Sequence, residues 1–312
     1  MKELFSIVVP IFNRADIVCR TLNSIKAQTY RPIHLILIDN NSSDNSFEVI
    51  ENWKTQNESS DFKITISSET IPGAAAARNK GLEYVDSRLM AFFDSDDSMR
   101  PHCVQTYVNA FRQNPDADIV CSNSLYHFDD NRTRLFYFRK GNILHNHIYH
   151  ATLRTQGYAV KTAYMRQQGG WNNSVRVWDD WELGIRLLID KPKVVSTGDT
   201  LVDIYMQSES ITGLDFSSKS GKWEYALDVA DEVINNCRRD DKTTLHRLID
   251  YRRIVLAAHY LKEGQADLAK ELYQSTMSRL KSDFRMILLM PFVYQYVSVG
   301  GRGAAMIVDK FL

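Results

Sequence analysis

Short apolar runs and longer periodic segments alternate through the first 122 residues. The runs at 5–9, 35–38, 64–66, 89–93 and 119–121 each end in polar residues. Between them, segments 17–27, 47–53, 74–84 and 104–111 repeat their apolar positions at helical spacing. Strand and helix in alternation predict an α/β fold with a mostly parallel, Rossmann-like sheet flanked by helices. The runs are continuous in apolar character, as strands covered on both faces require. Ligands of such sheets bind beyond the carboxyl ends of the strands, so the polar residues at those ends become the first candidates for function.

The alternation stops at 123–150, a stretch rich in Asn, Asp, His and aromatic residues that reads as a hairpin or flexible loop. A second α/β stretch follows from 157 to about 205. From 222 onward the pattern is helical only, with Ala226, Val229, Val233 and Cys237 on one face and Ile254, Ala258 and Leu261 on the next. The expected organisation is therefore an α/β domain over 1–220, in two parts at about 1–122 and about 123–220. A helical C-terminal region occupies 221–312.

Charge refines this picture. The formal net charge is zero, which excludes the basic excess of an electrostatic nucleic-acid binder. The balance is uneven, however. From Arg238 onward there are 13 Lys or Arg and 8 Asp or Glu, a net of +5, so the preceding 237 residues carry −5. Cys19, Cys103, Cys121 and Cys237 are scattered without CxxC spacing and read as reduced thiols. The N-terminus turns polar too soon for a signal peptide, and no run approaches a membrane span. A cytoplasmic setting is expected. The apolar stretch within 285–302, bounded by Arg285 and Arg302, suits either a packed helix or one lying at the inner face of the plasma membrane.

Candidate chemistry lies at the strand ends. Asp94, Ser95, Asp96 and Asp97 crowd the end of an apolar run. Like charges this close repel unless a cation compensates, and a hard divalent ion with oxygen ligands fits. The first run leads into Pro10, Ile11, Phe12, Asn13 and Arg14, and the second into Asp39, Asn40 and Asn41. The third leads to Pro72, Gly73, four alanines and Arg78. Asp39 suits a base or ribose, Phe12 offers a flat face, and Arg78 suits a base edge or a phosphate. Each cluster alone also reads as an ordinary turn or helix cap.

In combination these segments resemble the family 2 inverting glycosyltransferases of GT-A fold, over about residues 4–210. The resemblance implies a nucleotide-diphospho-sugar donor, with UDP the commonest, held by Pro10, Phe12, Asn13, Arg14, Asp39, Arg78, Asp94 and Ser95. It places the family's DxD motif on Asp94, Ser95 and Asp96, with Asp94 on ribose or metal and Asp96 on Mn²⁺ or Mg²⁺; Asp97 is an additional acid. Gly169, Gly170 and Trp171 resemble the acceptor-side segment. Trp178 to Leu183 resembles the Glu-Asp motif, which puts the general base on Asp180, with Asp179 where Glu is common and Glu182 as rival. Trp171, Asp179 and Trp181 are then acceptor-side candidates. A Tyr-Arg-x-His-like segment usual in the family is here Tyr205, Met206, Gln207 and Ser208, without the His that would be a third protein ligand to the metal, so water is expected in that position.

The implied activity transfers a sugar to a hydroxyl of a glycan or lipid-linked acceptor in surface polysaccharide synthesis. Peripheral membrane contact through the C-terminal helices and a homodimer are both compatible with this reading. Two alternatives share the nucleotide site. A sugar nucleotidyltransferase would carry a Gly-rich loop after the first strand, and none is present; a degenerate binding protein would not retain the acids. His145, His147 and His150 invite a zinc reading, but no Cys or carboxylate completes a familiar spacing, so surface or a mobile loop is expected.

Overall fold

The computed structural model describes residues 2–206 and 215–308. The predicted alternation forms β1 (Phe5–Ile11), α1 (Val18–Lys26), β2 (Ile33–Asp39), α2 (Ser46–Asn57), β3 (Phe62–Ser68), α3 (Ala74–Glu83) and β4 (Leu89–Phe92). A two-residue β5 (Ser98–Met99) and α4 (Cys103–Gln113) precede β6 (Ile119–His127). Then come β7 (Thr133–Phe136), α5 (Ile143–His150), β8 (Tyr158–Lys161), α6 (Thr162–Gln167), α7 (Asp179–Ile189) and β9 (Val194–Tyr205).

The described strands form one nine-stranded sheet of order β3-β2-β1-β4-β8-β6-β9-β5, with β7 on β6. The four leading strands run parallel, and Ile11 at the end of β1 lies opposite Asp39 at the end of β2. Beyond them β8 is antiparallel to both β4 and β6, while β6 and β9 are parallel. All of β1 and β2 is buried, which explains their unbroken apolar sequence. Pro10 sits inside β1 without cost because pairing with β4 ends at Val8.

The helical region is α8 (Lys222–Asn236), α9 (Lys242–Lys262), α10 (Ala266–Arg279), α11 (Phe284–Ser298) and α12 (Ala304–Val308). By internal contacts the chain falls into two compact units. The first is 1–139, 153–174 and 191–207, and holds the whole sheet; the second is 140–152, 175–190 and 208–312. The second unit thus groups α5 and α7 with the C-terminal helices.

Two sequence readings are corrected. Residues 143–150 are the helix α5 and not a loop; Asn142 caps it by accepting the His145 N–H, and His147 is fully buried. The inner face of α8 is Trp223, Ala226, Leu227, Ala230 and Ile234, with Val229 and Val233 at its margin. Trp223 sets that rotation by burying its ring, with its indole N–H bonded to the Phe216 carbonyl at 2.8 Å. The cysteines are free thiols, with Cys103 and Cys121 buried. Among the described residues no helix is long and apolar enough to cross a membrane.

Candidate functional site

The turns after β1 and β2 are stitched together. Asn13 takes a left-handed conformation (φ 51°), donates its N–H to Ser42 Oγ (3.0 Å) and accepts the Ser43 N–H (2.8 Å). Arg14 N–H donates to Ser46 Oγ at 2.7 Å, and Ala15 N–H to Asp44 Oδ2 at 3.1 Å. Asp39 is buried within this turn; its Oδ2 accepts the Ser42 N–H at 3.1 Å. Its Oδ1 is buried with no hydrogen-bond partner among the described residues. A buried carboxylate oxygen without a donor is costly, so an arriving N–H or O–H donor is favoured there. Phe12 is 55% exposed and leaves a flat apolar surface open, whereas Pro10 is packed within β1.

The acids after β4 part company. Asp97 is 2% exposed; its Oδ1 accepts the Tyr205 N–H (2.9 Å) and its Oδ2 accepts from Gln156 Nε2. Burial, then the charges of Asp94 and Asp96, push its pKa up to about 8. This acid therefore props the loop. Asp94 accepts from Arg78 Nη2 on Oδ1 and from Gln156 Nε2 on Oδ2, both at 2.7 Å. The Asp96 carboxylate is partly exposed and 3.6 Å from Arg14 Nη2. Its pKa is raised by burial and then by Asp94, and eased by Arg14. Arg20 donates to the Asp96 carbonyl and lays its guanidinium 3.9 Å above the Tyr205 ring.

Hard oxygen donors that repel one another suit a divalent cation. No cluster of three or more His, Cys, Asp or Glu positioned to hold an ion occurs among the described residues. One or two carboxylates fit a Mg²⁺-like ion that completes its shell with diphosphate and water. Tyr205 is occupied by Arg20 and by stacking on His127 at 4.8 Å; Gln207 and Ser208 lie outside the described residues.

Arg78 is buried, paired with Asp94, and stacked 4.1 Å from the Trp171 ring. Trp171 is itself 3% exposed and meets Phe92 edge-on at 5.3 Å. Its ring therefore packs beneath the acid cluster and presents no open face for a sugar. Asn79 holds it there, accepting the Trp171 N–H and donating to its carbonyl, both at 2.8 Å. A side chain on Gly170 would meet Asn79 Oδ1 at 2.6 Å, which accounts for glycine before the tryptophan.

In the second unit, Trp178 takes a left-handed conformation and starts α7. Asp179 Oδ1 accepts the Asp180 N–H (3.0 Å), and Asp180 Oδ1 accepts the Trp181 N–H (2.8 Å). Both acids thus serve the positive end of the helix. Glu182 is 1% exposed and held by Arg186 at 2.6 Å and 2.8 Å. Trp181 is fully buried; its indole N–H donates to the Ile148 carbonyl (3.2 Å), and its own carbonyl accepts from His147 (2.8 Å). Trp181 offers no exposed ring face, and His147 is a packed core donor, not a zinc ligand.

Sequence reasoning missed four contributors. Gln156 bridges Asp94 and Asp97. Asn40 donates to the carbonyls of Glu69 and Ile71 and accepts the Gly73 N–H, tying β2 to the start of α3. Arg20 braces the acid loop. Arg252 of α9 places its guanidinium 4.3 Å from the Trp178 ring and 5.5 Å from that of Trp181. Burial lowers its pKa to about 10, with Tyr251 and then Asp180 holding it up, so it stays a cation near the candidate base. Gln156, Arg20 and Arg252 had no motif, and Asn40 stood in the second strand-end segment without a role of its own; each contact joins residues far apart in sequence.

The chain is similar to several known glycosyltransferases. GlyG, a glycosyltransferase of Streptococcus pneumoniae, is 29% identical over 172 residues, covering 55% of this chain and 52% of GlyG. WfaP of Escherichia coli, a UDP-Glc:α-D-GlcNAc-diphosphoundecaprenol β-1,3-glucosyltransferase, is 36% identical over 95 residues, covering 30% of this chain and 36% of WfaP. The matches thus span about half or less of these relatives. In fold, Staphylococcus aureus TarS 1-349 in complex with UDP-GlcNAc superposes with a TM-score of 0.67 at 13% identity, covering 99% of this chain and 92% of that one. The mannosyltransferase PcManGT of Pyrobaculum calidifontis, in complex with GDP-Man and Mn²⁺, gives 0.57 at 14% identity, covering 99% and 88%. The model of glycosyl transferase family 2 runs through residues 6–169, from β1 past the acid cluster to the glycine pair. On that match, more than half the sequence, and on a sheet of the expected GT-A kind, the chain belongs to glycosyl transferase family 2.

Proposed function

We propose that the protein is an inverting, metal-dependent glycosyltransferase. It moves a sugar from a UDP-sugar to a hydroxyl of a glycan or lipid-linked acceptor in surface polysaccharide synthesis. The observation that carries this reading is the unpartnered buried Oδ1 of Asp39, linked through the Ser42–Asn13–Arg14 turn to the Asp96 carboxylate. One end of that chain suits a nucleobase donor, and the other suits the diphosphate region of the same ligand. The UDP-GlcNAc complex of TarS and the UDP-Glc specificity named for WfaP support uridine.

Phe12 covers the base, Asp39 accepts its N–H, and Arg14 faces the phosphates. Asp96, with Asp94 behind it, would hold Mn²⁺ or Mg²⁺, which neutralises charge on the departing diphosphate. Arg78 and Gln156 keep Asp94 in place. Asp180 accepts the acceptor's hydroxyl proton as its oxygen forms the bond to the anomeric carbon, on the face opposite the breaking bond to the diphosphate.

Thermal unfolding with UDP-, GDP- and dTDP-sugars, each with Mn²⁺, Mg²⁺ or EDTA, tests the donor site. At a hundred times the dissociation constant a ligand adds about 2.7 kcal/mol. A shift with UDP-sugars that EDTA removes is expected; no shift with any nucleotide sugar would overturn the reading. Asp180→Asn should keep that shift and lose transfer by roughly a hundredfold or more. Full transfer in this variant would remove Asp180 from the mechanism.

A further inference from the structure

Helix α11 is apolar on both sides. Met286, Met290, Val293 and Val297 are buried. On the other side Phe284 is 76%, Leu288 63% and Phe292 56% exposed. These three are spaced by four residues and form one ridge. Val299, just after the helix, is 74% exposed. A helix that is apolar all round belongs in an apolar environment, and no described residue covers this ridge.

Beside the ridge lies a cleft of about 630 Å³, lined by Thr243, His246, Arg247, Arg279, Arg285 and Phe284 among others. Its acids are engaged: Asp283 pairs with Arg247 at 2.5 Å and Asp250 with Arg279 at 2.9 Å. Lys281 and Arg285 are exposed and have no ion-pair partner among the described residues. Arg302, beyond the far end of α11, is exposed too. The ridge therefore carries basic groups at both ends, and the only acid over 281–308 is the paired Asp283.

We infer that the outer face of α11 docks the protein on an anionic lipid bilayer, with the ridge among the acyl chains and the unpaired Lys281 and Arg285 at the mouth of the cleft on lipid phosphates. Apolar residues flanked by basic ones at headgroup depth match such a surface, and guanidinium groups suit phosphate oxygens. A second copy of this chain fits less well: twofold pairing through α11, parallel or antiparallel, brings the basic ends together. The inference supplies a surface for the lipid-linked acceptor of the proposed function, and it is read without catalysis, so either can fail alone.

The test is sedimentation of the full chain with vesicles of phosphatidylcholine alone, and with about one-third phosphatidylglycerol, in about 0.1 M and about 0.5 M NaCl. Binding to the anionic vesicles, weakened by salt and near absent on phosphatidylcholine, is expected. Phe284→Ser with Leu288→Ser and Phe292→Ser should abolish it. Lys281→Glu with Arg285→Glu should weaken it roughly tenfold or more. All five side chains are exposed, so the thermal midpoint should hold, and the charge pair stands alone if the serine variant misfolds. Wild-type binding that neither variant changes, or no binding to anionic vesicles, would overturn the inference. So would a dimer in light scattering that the serine variant abolishes, or stabilisation by inorganic phosphate without vesicle binding.

Discussion

Gln156 shows how much one uncharged side chain can decide. It lies after the hairpin, 59 residues from Asp97, and its amide donates to two carboxylates that would otherwise face each other without a shared donor. Gln156→Ala should lower stability by about 1–3 kcal/mol, the cost of leaving buried acceptors unsatisfied. That is a drop of roughly 2–10 °C in the thermal midpoint. An unchanged midpoint would show that water replaces the amide freely. The same scale separates the three acids. Asp97 was grouped with Asp94 and Asp96 because it adjoins them, yet its bond to the Tyr205 backbone makes it a brace. Adjacency in sequence says nothing about which way a carboxylate turns in a tight loop.

At the level of elements, β1, β2 and β4 were legible because an apolar run buried on both faces has no other use, and the helices between them by their apolar spacing, whereas the two-residue β5 left no such signature. The segment 143–150 was not legible. Its histidines look polar, but His147 is buried and spends its Nε2 on the Trp181 carbonyl at 2.8 Å. Helix α5 packs so closely on α7 that a side chain at Gly184 would approach His147 Nε2 to 2.2 Å. Gly184→Ala therefore tests this packing. Helix propensity alone favours alanine by about 1 kcal/mol, but overpacking against a buried ring should give a net loss of about 1–3 kcal/mol. A stabilised variant, in denaturant titration, would show that the two helices are not in this contact. Arg252 belongs to this scale as well, since a helix of the C-terminal region supplies the cation stacked on the aromatic pair that brackets Asp180.

For the whole molecule, the units interleave along the chain. The second gathers 140–152 and 175–190 with 208–312. Trp181, fully buried, and Trp178 are lined by Trp223 and Arg252 from beyond residue 220. A chain ending at residue 220 should therefore expose this aromatic cluster and aggregate or lose its cooperative transition. A soluble, sharply melting 1–220 chain would show instead that α5 and α7 stand without the C-terminal helices. The charge asymmetry, +5 after residue 237 and −5 before it, also takes on meaning at this scale, because part of the basic excess is gathered at the ends of α11.

The sequence by itself determined the α/β alternation, the family, the strand-end positions of Asp39, Asp94 and Asp96, and the place of Arg78 in the helix after the third strand. It could do so because these depend on local periodicity and on short motifs whose residues are neighbours in the chain. Only the tertiary structure decided what each residue faces. It put the Trp171 ring under Arg78, paired Glu182 with Arg186, and left one oxygen of Asp39 without a partner among the described residues. Burial and hydrogen bonding are set by groups that arrive from distant segments, and no local pattern records which groups will arrive.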